Sequence, residues 1–289
     1  MFSLKRIVTD VLKRHPYGSL LGVTILDRFD ALLPHDPSYF GFARFAQAYD
    51  FVPKVILDIG ANRGHSARGF LKILPGWQVI SFEANGIHEA RLAAIQARHQ
   101  GRFTYHIAAV TDASRGHVEF YTPTYRGTPL SSAGALSHAH ASAGAEIPFP
   151  RLRGKFGIVQ TSTPTLSLDE LGLEACFVKM DIQGGELDAL KGMRSLLERC
   201  KPVLLIEMDF EASEVADHLA ALEYQPWAFD AADGTFAPGW ASVSKRGEVN
   251  QFFVHLSLAA KIPQRARHVA TDEELLAGEP HATSVEVGR

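Results

Sequence analysis

Two acidic residues stand where consecutive apolar runs end. Asp58 lies in "KVILDIGANRGHSA", followed by Gly60, Ala61, Asn62, Gly64 and Ser66. Glu83 lies in "WQVISFEAN", followed by Ala84. A glycine turn after a buried strand lets the backbone bend sharply and approach a ligand, and the helix that follows offers unpaired N–H groups. Asp58 adds negative charge to that turn. This disfavours a phosphate and suits a group that is cationic or donates hydrogen bonds. Glu83 stands where a carboxylate accepts hydrogen bonds from both hydroxyls of a ribose, the logic of dinucleotide sites. A dinucleotide turn itself fails, because Asn62 replaces the second glycine of G-x-G-x-x-G. No G-K-[ST] occurs, so a P-loop fails too. S-adenosylmethionine carries an ammonium, a sulfonium and a ribose but no phosphate, and it fits the acidic glycine turn better.

Methyl transfer from such a donor is an in-line displacement at carbon with a good leaving group. The protein must align acceptor, methyl and sulfur. A base beside the acceptor hydroxyl adds roughly 10²–10⁴-fold. The candidates are Asp181, which ends "ACFVKMD"; Glu186, which opens the next helix; Glu207 and Asp209 in "PVLLIEMD"; and His138 and His140 in "HAH". Asp181 is favoured by its place at a strand end, where it also suits capping the following helix. The two histidines would act if their loop closed over the site. Lys179 shares a strand face with Asp181 and suits pairing with a neighbouring acid. Hard cations take carboxylate oxygens, so a divalent metal is chemically possible here, but it is not favoured.

The elements that must position these residues alternate. "KVILDI", "WQVISFE" and "FTYHIAAV" read as strands, with helices over 66–74 and 86–99 between them. The rhythm returns with strands "ACFVKMD" and "PVLLIEMD", helices over 186–197 and 212–222, and a last antiparallel pair "YQPWAFD" and "NQFFVHLS". This predicts an α/β fold on a mostly parallel sheet. Residues 112–165 interrupt it. "HVEFYTP" and "GIVQTSTPT" read as paired strands, and 122–157 as a small-residue lid over the acceptor site. Arg151, Arg153 and Lys155 at its end suit an anionic or polyhydroxylated acceptor. Residues 51–258 form the main domain. Residues 1–50 read as a helical extension, with Leu4, Ile7, Val8, Val11 and Leu12 on one face that suits the core, a homodimer contact or a membrane surface. Residues 259–289 read as a polar tail.

Bulk properties remove other classes. Lysine and arginine total 29 against 32 acidic residues, a net charge of -3, which gives no field for nucleic acid. Cys176 and Cys200 make no metal-like spacing and point to a reducing, cytoplasmic compartment. No apolar run nears the roughly 20 residues that span a bilayer.

The segments "VILDIGANRGHSA", "SFEAN", "LSLDEL", "FVKMDIQGGELDALKGM" and "PVLLIEMD" together resemble the FkbM family of S-adenosylmethionine-dependent methyltransferases, over about residues 52–256. The chain departs from the family pattern at Gln183, where an acid is usual, and at Gly185, where alanine is usual. The resemblance implies a Rossmann-like class I methyltransferase fold with a seven-stranded sheet. It also implies O-methylation of a sugar, glycolipid or polyketide-type acceptor. It assigns Asp58, Gly60, Asn62 and Gly64 to the methionine end, Glu83 and Ala84 to ribose and adenine, Ala108 and Ala109 to the adenine, and Asp181 to the methyl. The competing expectation is a catalytically silent domain of the same fold acting as a binding or scaffold module.

Overall fold

A computed structural model describes residues 36–130, 133–147, 152–208, 212–241, 249–259 and 262. The apolar face near the N-terminus and the dimer contact expected on it, Arg151, Asp209 and nearly all of the polar tail lie outside these residues. The chain passes through α1 (Tyr39–Ala48), β1 (Val55–Ile59), α2 (His65–Ile73), β2 (Gln78–Glu83), α3 (Glu89–Arg98) and β3 (Phe103–Ile107). An insert follows, made of β4 (Ala109–Val110), β5 (His117–Tyr125), β6 (Thr128–Pro129), α4 (His138–Glu146) and β7 (Gly157–Leu166). The alternation resumes with β8 (Phe177–Met180), α5 (Glu186–Lys191), α6 (Arg194–Cys200), β9 (Val203–Met208) and α7 (Ala212–Ala220). It closes with β10 (Tyr224–Asp230), β11 (Thr235–Pro238), β12 (Val249–His255) and α8 (Leu256–Ala259).

The main sheet runs β11-β10-β12-β9-β8-β1-β2-β3. Strands β9, β8, β1, β2 and β3 are parallel neighbours, and β12 is inserted antiparallel between β9 and β10. This is the expected Rossmann-like class I methyltransferase architecture, with eight strands in place of seven because β11 folds back on β10. Chain order reverses at the β1–β8 boundary, and the crevice above such a reversal is where open α/β sheets bind ligands.

Side chains alternate between the two faces of a strand. Phe177, Leu205 and Phe252 face a layer that holds Phe42 and Phe45 of α1, Phe70 of α2 and Leu92 of α3. Leu57, Val178 and Ile206 face Leu190, Leu197 and Val215 of α5, α6 and α7. The first layer is aromatic, with Trp77 stacked on Phe177 at 4.6 Å between centroids. Phe42 and Phe45 of α1 are fully buried in it.

Three local expectations change. The third strand divides at Ala108, whose N–H bonds the carbonyl of Glu83, and Ala109–Val110 then pair with β7 in a separate sheet of order β4-β7-β5-β6. The helix expected over 186–197 is two helices broken at Gly192, where a Cβ would lie 1.9 Å from the Thr111 carbonyl oxygen. The "HAHASAGAE" stretch, read as flexible loop, is helix α4, whose N-cap Ser137 accepts from the His140 N–H. Its alanines favour helix, and the serine supplies the start. The antiparallel pairing of β5 with β7 is as expected.

Candidate active site

Strand register sorts the polar residues into two rows on the face that carries α1, α2 and α3. Asp58 is opposite Ser81 on β2 and Lys179 on β8. Two residues nearer the crevice on each strand stand Glu83, Gly60, Asp181 and Glu207, and Asn250 of β12 is opposite Glu207. The second row lines a cavity of about 320 Å³; of the first row, Lys179 reaches the cavity while Asp58 and Ser81 lie beneath it.

The lower row is a closed electrostatic unit. Asp58 is fully buried, and its Oδ2 accepts from the hydroxyls of Ser66 at 2.8 Å and Ser81 at 2.9 Å. Lys179, 5% exposed, donates to the Gly60 carbonyl at 3.0 Å, with its Nζ 3.8 Å from Asp58 and 3.4 Å from Asp181. Burial pushes the Asp58 carboxyl above the usual range, against Lys179 and the two serines. Burial alone would lower Lys179; Asp181 and Asp58 outweigh it and hold the ammonium strongly protonated. A buried charge is tolerable only when paired in this way.

Above it, Glu83 forms one wall. Its Oε2 accepts from the Asn62 N–H at 2.6 Å and its Oε1 from the Asn85 N–H at 2.7 Å. Burial lifts its pKa to about 7, against those two bonds. A carboxylate has about four acceptor positions. Two are taken, and the residue lines the cavity. Phe82, Ala84, Ala108, Ala109, Val110 and Phe120 make an apolar end beside it.

The opposite end is polar. Gln183, held at φ 57°, donates its side-chain amide to Asp181 Oδ1 at 3.1 Å and to Glu207 Oε2 at 2.5 Å. Asp181 is disfavoured as an anion by burial, yet Lys179 and hydrogen bonds from Glu207 and Gln183 hold its carboxyl below the usual range. Asn250 donates to Asp36 at 3.2 Å, and both line the cavity with Tyr39. Gly134 and Leu136 of the insert complete the lining, with Gly134 packed against the Phe120 ring. Among the described residues no group of three or more His, Cys, Asp or Glu side chains could hold a metal ion.

The expected site residues thus divide. Gly60, Asn62, Glu83, Ala84, Ala108, Ala109 and Asp181 line the cavity. Asp58, Ala61, Gly64, Ser66, His138 and His140 do not. Asp58 and Ser66 act from below, through each other and through Lys179. Both glycines are held by close protein contacts. A Cβ on Gly60, at φ 79°, would lie 1.8 Å from the Asp181 carbonyl oxygen, and one on Gly64, at φ 74°, would lie 2.2 Å from Ile95 Cδ1. His138 packs edge-on against Tyr121, and the His140 ring lies close to Gly184. Arg153 is bonded to Glu146, away from the cavity. Asp36 and Tyr39 lie in the stretch "HDPSYFGF", which by sequence reads as a turn, and no periodicity marks Asn250.

Residues 58–230 match the family described as the methyltransferase FkbM domain. The chain belongs to this family. As an FkbM methyltransferase it is 30% identical over 168 residues to the 2-O-methyltransferase NoeI of Sinorhizobium fredii, which covers 55% of this chain and 65% of that protein. The chain therefore spans just under two thirds of that curated relative. Among solved structures it is similar to the FkbM methyltransferase of Methylobacillus flagellatus KT. That likeness has 17% identity and a TM-score of 0.45, and it covers 85% of this chain and 58% of the other. It is also similar to the plantazolicin methyltransferase BpumL in complex with SAH, with 10% identity, a TM-score of 0.37, and 87% and 95% coverage. No helix of the described residues is long and apolar enough to cross a membrane.

Proposed function

We propose that this methyltransferase uses S-adenosylmethionine to methylate a hydroxyl of a neutral, polyhydroxylated acceptor of the sugar, glycolipid or polyketide type. The observation that carries the reading is the division of one cavity into an apolar end beside Glu83 and an acidic end at Asp181 and Glu207. A flat base suits the apolar end. The remaining acceptor positions of Glu83 suit two ribose hydroxyls. An ammonium and a sulfonium suit a cavity whose carboxylates, Asp36, Glu83, Asp181 and Glu207, outnumber Lys179. The same excess disfavours an anionic acceptor. Side chains that both donate and accept, Gln183 and Asn250, suit hydroxyls. The name of the 2-O-methyltransferase relative supports oxygen as the methylated atom.

The insert serves as the lid, since Phe120, Gly134 and Leu136 reach the cavity from it. Its exclusion of water would sharpen the electrostatics at the reacting atoms. Cys176 and Cys200 are both free thiols, in keeping with a cytoplasmic setting.

The test is a screen of hydroxylated acceptors with methyl-labelled S-adenosylmethionine, preceded by calorimetry of the cofactor alone. Label transfer to a hydroxyl supports the reading. Cofactor binding without transfer to any acceptor points to a binding module, and failure to bind removes the proposal.

A further inference from the structure

The acidic end of the cavity holds two carboxyl groups within reach of one amide nitrogen. Asp181 Oδ1 and Glu207 Oε2 both accept from Gln183 Nε2. They are neighbours because β8 and β9 are parallel and in register, Met180 opposite Ile206. The two acids differ in their surroundings. Asp181 has Lys179 Nζ 3.4 Å from its Oδ2, so both of its oxygens are engaged by donors. Its carboxylate is held as an anion and is a weak proton acceptor. Two adjoining carboxyls cannot both ionise cheaply, and such a pair keeps one proton between them.

We propose that Glu207 is the proton acceptor for methyl transfer, and that Asp181 and Glu207 share one proton until a cationic donor binds. Gln183 is the positioning residue that holds the two acids together. This rests on the reading of S-adenosylmethionine as donor. With a sulfonium beside the pair, both carboxylates become affordable and the shared proton leaves. When the acceptor enters, its oxygen lone pair forms the new O–C bond as the C–S bond breaks, and that bond's electrons return to sulfur. The acceptor's O–H proton passes to Glu207, and the O–H electrons stay on oxygen. The lost sulfonium charge and the regained proton balance, so the site ends as neutral to its surroundings as it began.

The other charged and titratable groups facing the pair are Lys179 and Asp58 on the strands below, Glu83 on β2, and Asp36 and Tyr39 at the start of α1. From α4, His140 approaches the 183–185 turn. Glu83 also titrates near neutrality. The demethylated product, S-adenosylhomocysteine, presents the same ribose but no sulfonium. Any proton released at Glu83 is therefore common to both ligands and cancels in their difference.

The experiment is titration calorimetry of the whole protein with each ligand, in buffers of different ionisation enthalpy, between about pH 6 and 8. The expected result is that S-adenosylmethionine releases up to about one proton more than S-adenosylhomocysteine. The difference should vanish in Glu207→Gln and in Asp181→Asn, either of which leaves a lone carboxyl; if one variant fails to fold, the other decides. Equal proton counts for the two ligands in the wild type would overturn the pair. So would a difference that survives in both variants. Absence of any binding by S-adenosylmethionine would instead remove the donor assignment on which the inference rests.

Discussion

Replacing Glu83 by glutamine tests the wall of the cavity against the electrostatics that build it. The carboxylate is 6% exposed and takes one backbone N–H on each oxygen, from Asn62 and from Asn85. Glutamine keeps the shape but has one accepting oxygen, so its NH2 must face one of those N–H groups. A stranded buried donor costs about 1–3 kcal/mol, which should appear as a lower melting temperature of the ligand-free protein. The ribose then meets one acceptor in place of two. A second loss of about 1–3 kcal/mol corresponds to a cofactor Kd raised roughly 5- to 150-fold.

The pH dependence gives an independent signature. Burial raises the pKa of Glu83 to about 7 in the folded protein. The folded state therefore holds the proton more tightly than the unfolded state between the ordinary carboxyl range and about pH 7, and stability falls as pH rises through that window. Ligand hydroxyls need the anion, so wild-type affinity for S-adenosylhomocysteine, which lacks the sulfonium, should fall as pH drops through about 7 while the glutamine variant stays flat. Calorimetry and thermal melts across that range read both effects. A variant that melts early but binds the cofactor within about twofold of wild type at alkaline pH would refute the ribose assignment. It would leave Glu83 a structural anchor of the glycine turn.

Asp58→Ala should act on stability. It strands the hydroxyls of Ser66 and Ser81 and leaves Lys179 without one of its two acids, a loss of about 3–5 kcal/mol in denaturant unfolding; a stable variant with a selectively weakened cofactor would put Asp58 in the cavity after all. Gly60→Ala should cost more than about 2 kcal/mol from its left-handed backbone and the 1.8 Å approach to the Asp181 carbonyl. Gly76→Ala, with equally positive φ but open space around it, should cost only about 1 kcal/mol, and equal losses would show that the approach is unimportant. Asp181→Asn should lower turnover on an identified acceptor by on the order of 10²-fold, and near-normal turnover would detach the carboxyl pair from the chemistry.

Much of this molecule is written locally. The short continuous apolar runs, the helices between them and the acids at the ends of the runs announce a parallel sheet with a crevice at its carboxyl edge. Asp58, Glu83 and Asp181 can be picked out by that logic alone. What local pattern cannot carry is depth. Asp58 is the penultimate residue of β1, Glu83 the last of β2, and Asp181 follows the last of β8. Only the register between strands turns that offset into two layers, placing Asp58 opposite Lys179 beneath the cavity and leaving Glu83 and Asp181 to line it. The same holds for the glycine turn, whose two glycines answer to an Asp181 carbonyl and an isoleucine far along the chain. It holds for Gln183, whose amide gains meaning when β9 brings Glu207 beside it. Asp36 and Asn250, 214 residues apart, meet because α1 joins the core on the face where β12 begins. Short-range periodicity determines which elements form and which face each residue takes. Strand stagger and long-range packing decide which polar groups are sealed in and which face the ligand, because burial depends on neighbours the local sequence does not contain.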